Sequence, residues 1–390
     1  MMANKIIFFI GSMHGGGAER VISILANHYC QIGWNVEIAL LLDKNIGYNL
    51  DSKIKVVDLS LTGSSYFKRL PGWVKKIRHY VKDSKPSIIV SFIGRINVLV
   101  LTACLGLNVP IIVSERNDPK HDGRSNLMLK VCNLSYRMAQ TVVYQTRYEQ
   151  SCFSPKLKNG VVIVNPVSVN IDPCKVQRPN EIVTAGRLTP QKNQEMLVNA
   201  VSMINEQSVA LKIYGDGQLK KKLQHQAKIL NVDATFCGNV ANLHECINGS
   251  GIFVLCSNFE GLSNALIEAM MLGLVCVSTN YPGAEEIISD GVNGLLVPCG
   301  NSEILAKKIT MVLKNDCLRE KLSMGALTSG QKYRELNLKN RISTIPEKEL
   351  IELLASDGKL IKRPLLVTDS QVLVGFNAEL WQDVLLSETK

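Results

Sequence analysis

The sequence predicts an α/β protein of two doubly wound, Rossmann-like domains, followed by a small α+β segment. Three observations predict this. At 390 residues the chain is long for one hydrophobic core, and two cores suit it better. Short apolar runs alternate with helix-period segments from residue 5 to about residue 327, the pattern of parallel strands joined by crossover helices. Between 171 and 180 that pattern lapses into an aperiodic stretch holding Pro173 and Pro179, then restarts with a new strand, as at a linker.

The bulk properties narrow the class. A hydrophobic share of 46% suits an ordinary soluble core, and no apolar run approaches the length of a membrane span. The start, Met1 to Lys5 followed by Ile6–Ile10, is too short for a signal peptide and reads as a first strand. A net charge of +10 favours an anionic partner: nucleic acid, a phosphorylated ligand or acidic lipid. The eleven cysteines include no C-x-x-C pair, which points to reduced thiols in a cytosol and away from disulfides or zinc.

In the first domain, Lys5–Ile10 reads as a buried strand, Gly11–Gly17 as a glycine-rich turn and Ala18–Ala26 as a helix. A second strand, Val36–Leu42, ends at Asp43. Strand, glycine turn, helix, strand and acid is the order of a dinucleotide-binding unit, so an NAD-dependent oxidoreductase is one alternative. The G-x-G-x-x-G spacing is not met, because Gly11 stands apart from the Gly15–Gly17 triplet. The segment Tyr66–Lys82 interleaves basic and aromatic residues and has helical period after Pro71. It reads either as a surface resting on an anionic bilayer, with Trp73 and Tyr80 at headgroup depth, or as a solvated amphipathic helix with Trp73 in the core. No recognition motif accompanies it, so a nucleic-acid partner is not expected. Ser87–Phe92, Pro110–Ser114, Thr141–Gln145 and Val161–Val167 read as further strands, the last stopped by Pro166. Ser114–Pro119 follows a strand's carboxyl end, where α/β folds place ligand groups. The plain reading of Glu115 and Arg116 is a local ion pair worth little.

The second domain opens with a strand reaching Ala185, a turn flanked by Arg187 and Lys192, and a helix from near Asn193. Strands Leu211–Tyr214, Val232–Phe236, Ile252–Cys256 and Cys276–Thr279 follow, with helices Ser302–Leu313 and Leu318–Ala326. After Cys256 comes a polar break containing Glu260 and Gly261, then a helix capped by Ser263 or Asn264. The free N–H groups of such a helix start suit a phosphate. Glu268, in the second helical turn, then lies beside whatever carries the phosphate, and a carboxylate can grip two neighbouring sugar hydroxyls. Glu260 reaches a second sugar across the phosphates. The plain reading is a pair of surface acids at an ordinary turn.

The run Glu260-Gly261-Leu262-Ser263-Asn264-Ala265-Leu266-Ile267-Glu268-Ala269-Met270 resembles the donor-site signature of retaining family-4 glycosyltransferases of the GT-B fold, with Leu262 at the position of a common aromatic. Gly15–Glu19, Gly186–Asn193, Gly215–Gly217, Phe236–Val240 and Pro282–Pro298 resemble further family segments in the expected order. Ser114-Glu115-Arg116-Asn117-Asp118 resembles a subset that builds cell-surface glycans and replaces the His-Asp pair of many members. The resemblance spans about residues 5–327. It implies two domains facing a cleft, and retaining transfer of a hexose or N-acetylhexosamine from a UDP-linked sugar. It implies a polyprenyl-diphosphate oligosaccharide acceptor at the cytoplasmic face of a membrane, with no cofactor. Arg187 and Lys192 would stabilise the departing diphosphate, as a cation pair can in place of a metal; no D-x-D sequence occurs. Glu260 would position the sugar, Glu268 the ribose, and the amides around Leu262, Ser263, Asn264 and Ala265 the diphosphate. Gly16 and Gly17 would lie beneath the phosphates, Gly215 beside them, Gly238 and Val240 at the base, and Arg116 and Asn117 in the cleft.

From about Thr328 that resemblance stops. Leu353–Val367 and Val372–Phe376 resemble the C-terminal half of arsenate reductase/Spx-like proteins, which have a thioredoxin-like fold; the pattern reads as helix, two antiparallel strands, helix. No cysteine follows Cys317, so this segment has no thiol chemistry of its own. A chimera is expected, with residues 1–170 as the acceptor-side domain, 171–180 as linker, 181–327 as the donor domain and 328–390 as the fragment. An exposed half-domain would pack on a second copy, as a homodimer, or on the donor domain. The competing class is a non-catalytic or inactivated fusion whose tail mediates assembly.

Overall fold

The structure, a computed structural model, describes residues 4–62, 66–167, 169, 171–174, 179–205, 209–240, 242–342, 365–367 and 372–374. They fall into two units, Met1–Gln331 and Lys332–Lys390.

The first unit holds two all-parallel sheets. One contains β1 (Lys5–Ile10), β2 (Asn35–Leu40), β3 (Lys55–Asp58), β4 (Ile88–Phe92), β5 (Ile111–Ser114), β6 (Thr141–Tyr144) and β7 (Gly160–Val162), in the order β3-β2-β1-β4-β5-β6-β7. The other contains β8 (Glu181–Ala185), β9 (Ala210–Tyr214), β10 (Ala234–Gly238), β11 (Ile252–Leu255), β12 (Val275–Thr279) and β13 (Leu295–Val297), in the order β10-β9-β8-β11-β12-β13. The helices interleaved with the first sheet are α1 (Gly17–Gln31), α2 (Tyr66–Ser84), α3 (Gly94–Ala103), α4 (Asn126–Ser135) and α5 (Arg147–Ser151). Those of the second are α6 (Gln194–Ser202), α7 (Lys220–Ile229), α8 (Leu243–Ile247), α9 (Asn264–Met271), α10 (Pro282–Glu285), α11 (Ser302–Leu313) and α12 (Asp316–Ile342).

Both sheets are covered on both faces, which is why their strands read as unbroken apolar runs. Along β1 the side chains alternate between two cores. Ile7 and Phe9 pack with Trp73, Ile77, Val100 and Tyr136 beneath α2, α3 and α4, while Phe8 and Ile10 pack with Val21 and Ile22 of α1. Each sheet reverses its winding once, between β1 and β4 and between β8 and β11. A crevice beyond the carboxyl ends of the strands is the ligand position at such a reversal.

Several expectations need correction. Trp73 is 1% exposed and belongs to the first core, so it is no headgroup anchor, and the Tyr80 hydroxyl donates to buried Glu37. Helix α2 starts ahead of Pro71, which costs it one backbone bond near its beginning. Strand β3 was not foreseen: Lys55–Asp58 has two apolar residues and half-exposed positions, too weak a period to read. Strand β7 ends at Val162, short of Pro166, because it is an edge strand paired only with β6. Strand β10 runs on to Gly238 through an irregular register. Helix α12 continues past Ala326 to Ile342.

In the second unit β14 (Leu365–Val367) and β15 (Val372–Val374) pair antiparallel, with Leu366 opposite Leu373, as the pattern predicts. The helices expected around Leu350–Ala355 and after Phe376 lie outside the described residues.

Candidate active site

The segments that leave β1, β4, β5, β8 and β11 converge on one cavity of about 550 Å³ between the two sheets of the first unit. From β1 come Gly16 and Gly17, held down by the Tyr48 hydroxyl, which donates to the Gly16 carbonyl at 2.9 Å. Gly17 faces Asn264, and a Cβ there would stand in ordinary contact with its Nδ2, at 3.7 Å. From β5 come Arg116 and Asn117, from β8 Arg187 and Lys192, from β9 Gly215. Val240 lies beyond β10, and Glu260, Leu262, Ser263, Asn264, Ala265 and Glu268 complete the wall. Gly238 does not line the cavity. Its carbonyl accepts the Gly215 N–H at 2.7 Å, and Asn239 takes its place. Gly215 must be glycine: its φ is +129°, and a Cβ would run into the Gly186 carbonyl oxygen.

The donor-side turns are stitched to each other. Asn258 donates its N–H to the Gln191 carbonyl at 2.8 Å and its side-chain amide to the Pro190 carbonyl at 2.9 Å. The Gln191 side chain returns a bond to the Phe259 carbonyl at 3.0 Å. This fixes Lys192 against Glu260, with Nζ to Oε1 at 2.5 Å, while the Ser257 hydroxyl donates to the same oxygen. Two residues given separate tasks by the sequence are therefore an ion pair here. Arg187 is exposed and has no ion-pair partner among the described residues. Ser263 is the N-cap of α9, accepting the Leu266 N–H at 3.5 Å.

Glu268 is fully buried, and its Oε1 is paired with the Arg20 guanidinium of α1. Its other oxygen, Oε2, has no hydrogen-bond partner among the described residues. Burial pushes the Glu268 carboxyl up, and Arg20 opposes that shift. Arg20 was missed in the sequence because it sits inside an ordinary helix start. Asn165 was missed as well. Its amide donates to Asn264 Oδ1 at 2.6 Å and to the Leu262 carbonyl at 3.3 Å, and its Oδ1 accepts from Arg116 at 2.7 Å and Gln145 at 2.6 Å. The signal was there: Pro166 forces an extended residue before it, at the end of the first sheet.

Arg116 does not pair with Glu115. Its guanidinium lies 4.4 Å from the Phe92 ring centroid, and Glu115 is buried with Arg124, accepting from Nη1 at 3.0 Å and Nη2 at 2.7 Å. A His-Asp pair does exist nearby: His121 Nδ1 lies 2.7 Å from Asp118 Oδ2, and its ring stacks on Phe259 from the other sheet's side. His121 is not among the lining residues. Ile93, at the entry to α3, holds φ +75°, a strained state for a β-branched residue, and turns Gly94 and Arg95 to the cavity.

The Asp43 that would hold a ribose in a dinucleotide fold is paired instead with His14 at 2.9 Å. The cavity offers what an anionic sugar donor needs: cations, a capped helix start and two carboxylates set apart. Residues 172–327 match the family described as Glycosyl transferases group 1, and residues 299–384 match the ArsC family. A Campylobacter jejuni protein named GalNAc-alpha-(1->4)-GalNAc-alpha-(1->3)-diNAcBac-PP-undecaprenol alpha-1,4-N-acetyl-D-galactosaminyltransferase is 28% identical over 334 residues, covering 82% of this chain and 91% of the relative. The crystal structure of Anabaena HepE with UDP and glucose superposes with a TM-score of 0.71 at 20% identity, covering 91% of this chain and all of the other. At the tail, Bacillus subtilis YusI is 54% identical over 56 residues, 14% of this chain and 48% of that protein. The chain has the GT-B fold, its residues 172–327 are similar to the group 1 glycosyl transferases, and the protein is a glycosyltransferase.

Proposed function

We propose that the protein transfers a hexose or N-acetylhexosamine, with retention, from a UDP-linked sugar to a polyprenyl-diphosphate-linked oligosaccharide in surface-glycan synthesis. The observation that carries this reading is the meeting of Arg187, Lys192, Glu260 and Glu268 with the start of α9 around one cavity. The name of the Campylobacter relative supports a diphospho-undecaprenol acceptor. In this reading Glu268 Oε2 accepts from the donor ribose, and the amides at the start of α9 hold the diphosphate. Lys192 exchanges part of its bond with Glu260 for the phosphates, joining Arg187 as negative charge builds on the leaving group. Glu260, freed on one side, accepts from a hydroxyl of the transferred sugar. Residues 1–170 form the acceptor side, 171–180 the linker and 181–327 the donor side. Residues 328–390 are a fused arsenate reductase-like fragment.

The test is UDP release from a panel of UDP-sugars, with and without a lipid-diphosphate-sugar acceptor. One sugar is expected to give acceptor-dependent release, with Glu260→Ala slower by a factor of about a hundred or more. Equal release by Glu260→Ala and wild type would contradict the role of Glu260. No release with any UDP-sugar would contradict the donor.

A further inference from the structure

Three neighbouring strands of the first sheet, β5, β6 and β7, each send one side chain past their carboxyl ends to the same place: Arg116, Gln145 and Asn165. Gln145 and Asn165 are 4% and 1% exposed, too deep for polar groups without partners. Their bonds run in one direction only. Arg116 can only donate, so the Asn165 oxygen must face it, at 2.7 Å. The same oxygen takes the Gln145 amide at 2.6 Å, which turns the Gln145 oxygen towards the Leu262 N–H, 3.4 Å away. The Asn165 NH2 then faces the other way, donating to the Leu262 carbonyl at 3.3 Å and to Asn264 Oδ1 at 2.6 Å. That carbonyl can only accept, which fixes the same direction from the far end. The Leu262 residue is thus held by both its N–H and its C=O.

Asn264 inherits the direction. Its oxygen is engaged by Asn165, so its NH2 lies on the side of Gly17. Asn264 is 9% exposed and lines the cavity, yet this NH2 donates to nothing among the described residues. It belongs to the first residue of α9, beside backbone N–H groups that a helix start leaves without partners. A buried donor left unmatched is costly, so the site calls for an acceptor from outside the chain.

We propose that Gln145 and Asn165 are positioning residues which aim the Asn264 NH2, and the turn that carries it, at the diphosphate of the donor. Diphosphate oxygens only accept, and the start of α9 favours negative charge. The donor site is therefore oriented from the first sheet: without Arg116, Gln145 and Asn165, neither the Leu262 peptide nor the Asn264 amide has a fixed direction. The proposal rests on the reading of a nucleoside-diphosphate sugar as donor.

The test titrates UDP by calorimetry, and uridine, which has no phosphates, by NMR, into wild type, Asn165→Asp, Asn264→Ala and the double variant. Asn165→Asp keeps the shape but exchanges the donating NH2 for an oxygen. Asn264 then turns its own NH2 to the new carboxylate and its oxygen to the cavity. UDP affinity is expected to fall about tenfold or more in each single variant. The double variant should stay within about twofold of Asn264→Ala, since no amide is left to aim. Uridine affinity should stay within about twofold of wild type throughout, which a general loosening of the fold would not allow. Should Asn165→Asp fail to fold, Asn264→Asp decides: it keeps the bond from Asn165, puts an anion against the diphosphate, and should lose at least as much as Asn264→Ala. UDP affinity unchanged in Asn165→Asp, or in Asn264→Asp, would overturn the proposal and leave the donor reading standing. So would losses that add in the double variant, or a uridine affinity that falls in step with UDP. A wild type that binds no UDP would overturn both.

Discussion

At the scale of single residues, the site is a set of charges that hold one another until substrate arrives. Arg20 gives buried Glu268 its counter-charge from across the cleft. Removing one partner of a buried pair leaves the other uncompensated, and the remaining carboxyl then favours its neutral form. Arg20→Ala should therefore raise the donor KM about tenfold or more at neutral pH, with a smaller effect at higher pH as Glu268 ionises; steady-state KM against pH measures this. Glu19, Tyr48 and Arg187 line the same cavity as this pair. An unchanged KM profile would remove Arg20 from the donor site. Glu149 offers a second test. It is buried beside the Gly261 turn and accepts the Gln145 N–H at 2.7 Å. Burial pushes its carboxyl up to about 8, against that hydrogen bond. Between the ordinary glutamate range and about 8 the folded state binds the extra proton, so stability falls as pH rises through that window and levels off above it. The total is on the order of 5 kcal/mol, and Glu149→Gln should flatten the slope in urea melts taken across the window.

At the scale of elements, close backbone contacts and one buried indole hold the parts in place. A methyl on Gly283, at the start of α10, would run into the Gly261 carbonyl oxygen, so Gly283→Ala should displace the Glu260 turn. The expected result is a loss of about 1–3 kcal/mol in stability with a weakened donor affinity, read by denaturant melts and UDP titration. Trp73→Ala should cost about 3–5 kcal/mol, because the ring fills the core between α2 and the first sheet. The elements themselves were largely legible. Parallel strands such as β11 and β12, wholly buried, leave an unmistakable apolar run, and Ser263 marks the start of α9 in the sequence. What could not be read were pairings between distant segments. Nothing in the spacing joins Arg20 to Glu268, Arg124 to Glu115, or Asn165 to Asn264, because each bond depends on where two domains or two loops meet. The basic aromatic segment shows the same limit. Its period announced a helix but not that Trp73 faces inward.

For the whole molecule, the cavity lies within the first unit, and among the described residues those that line it fall between Gly15 and Glu268. Truncation after Gln331 should therefore leave UDP affinity within about twofold of the full chain, since the described lining residues all stay in place. Calorimetry on both chains measures this, and light scattering on the same samples shows whether residues 332–390 hold copies together. A truncated chain that folds but has lost UDP would favour the reading in which the fused segment governs the protein. Closure of the two domains over substrate would draw on contacts already in place. The Arg147 and Tyr148 N–H groups donate to the Glu286 carboxylate at 3.1 and 2.8 Å, tying α5 to the second sheet's layer. The most direct test of the donor site is calorimetric titration of UDP into wild type, Arg187→Ala and Glu268→Ala. The account predicts saturable binding by wild type and a loss of about 10- to 100-fold in each variant, since in the proposed reading each removes a charge-assisted bond to the nucleotide. Binding of equal strength in all three, or none in wild type, would contradict it.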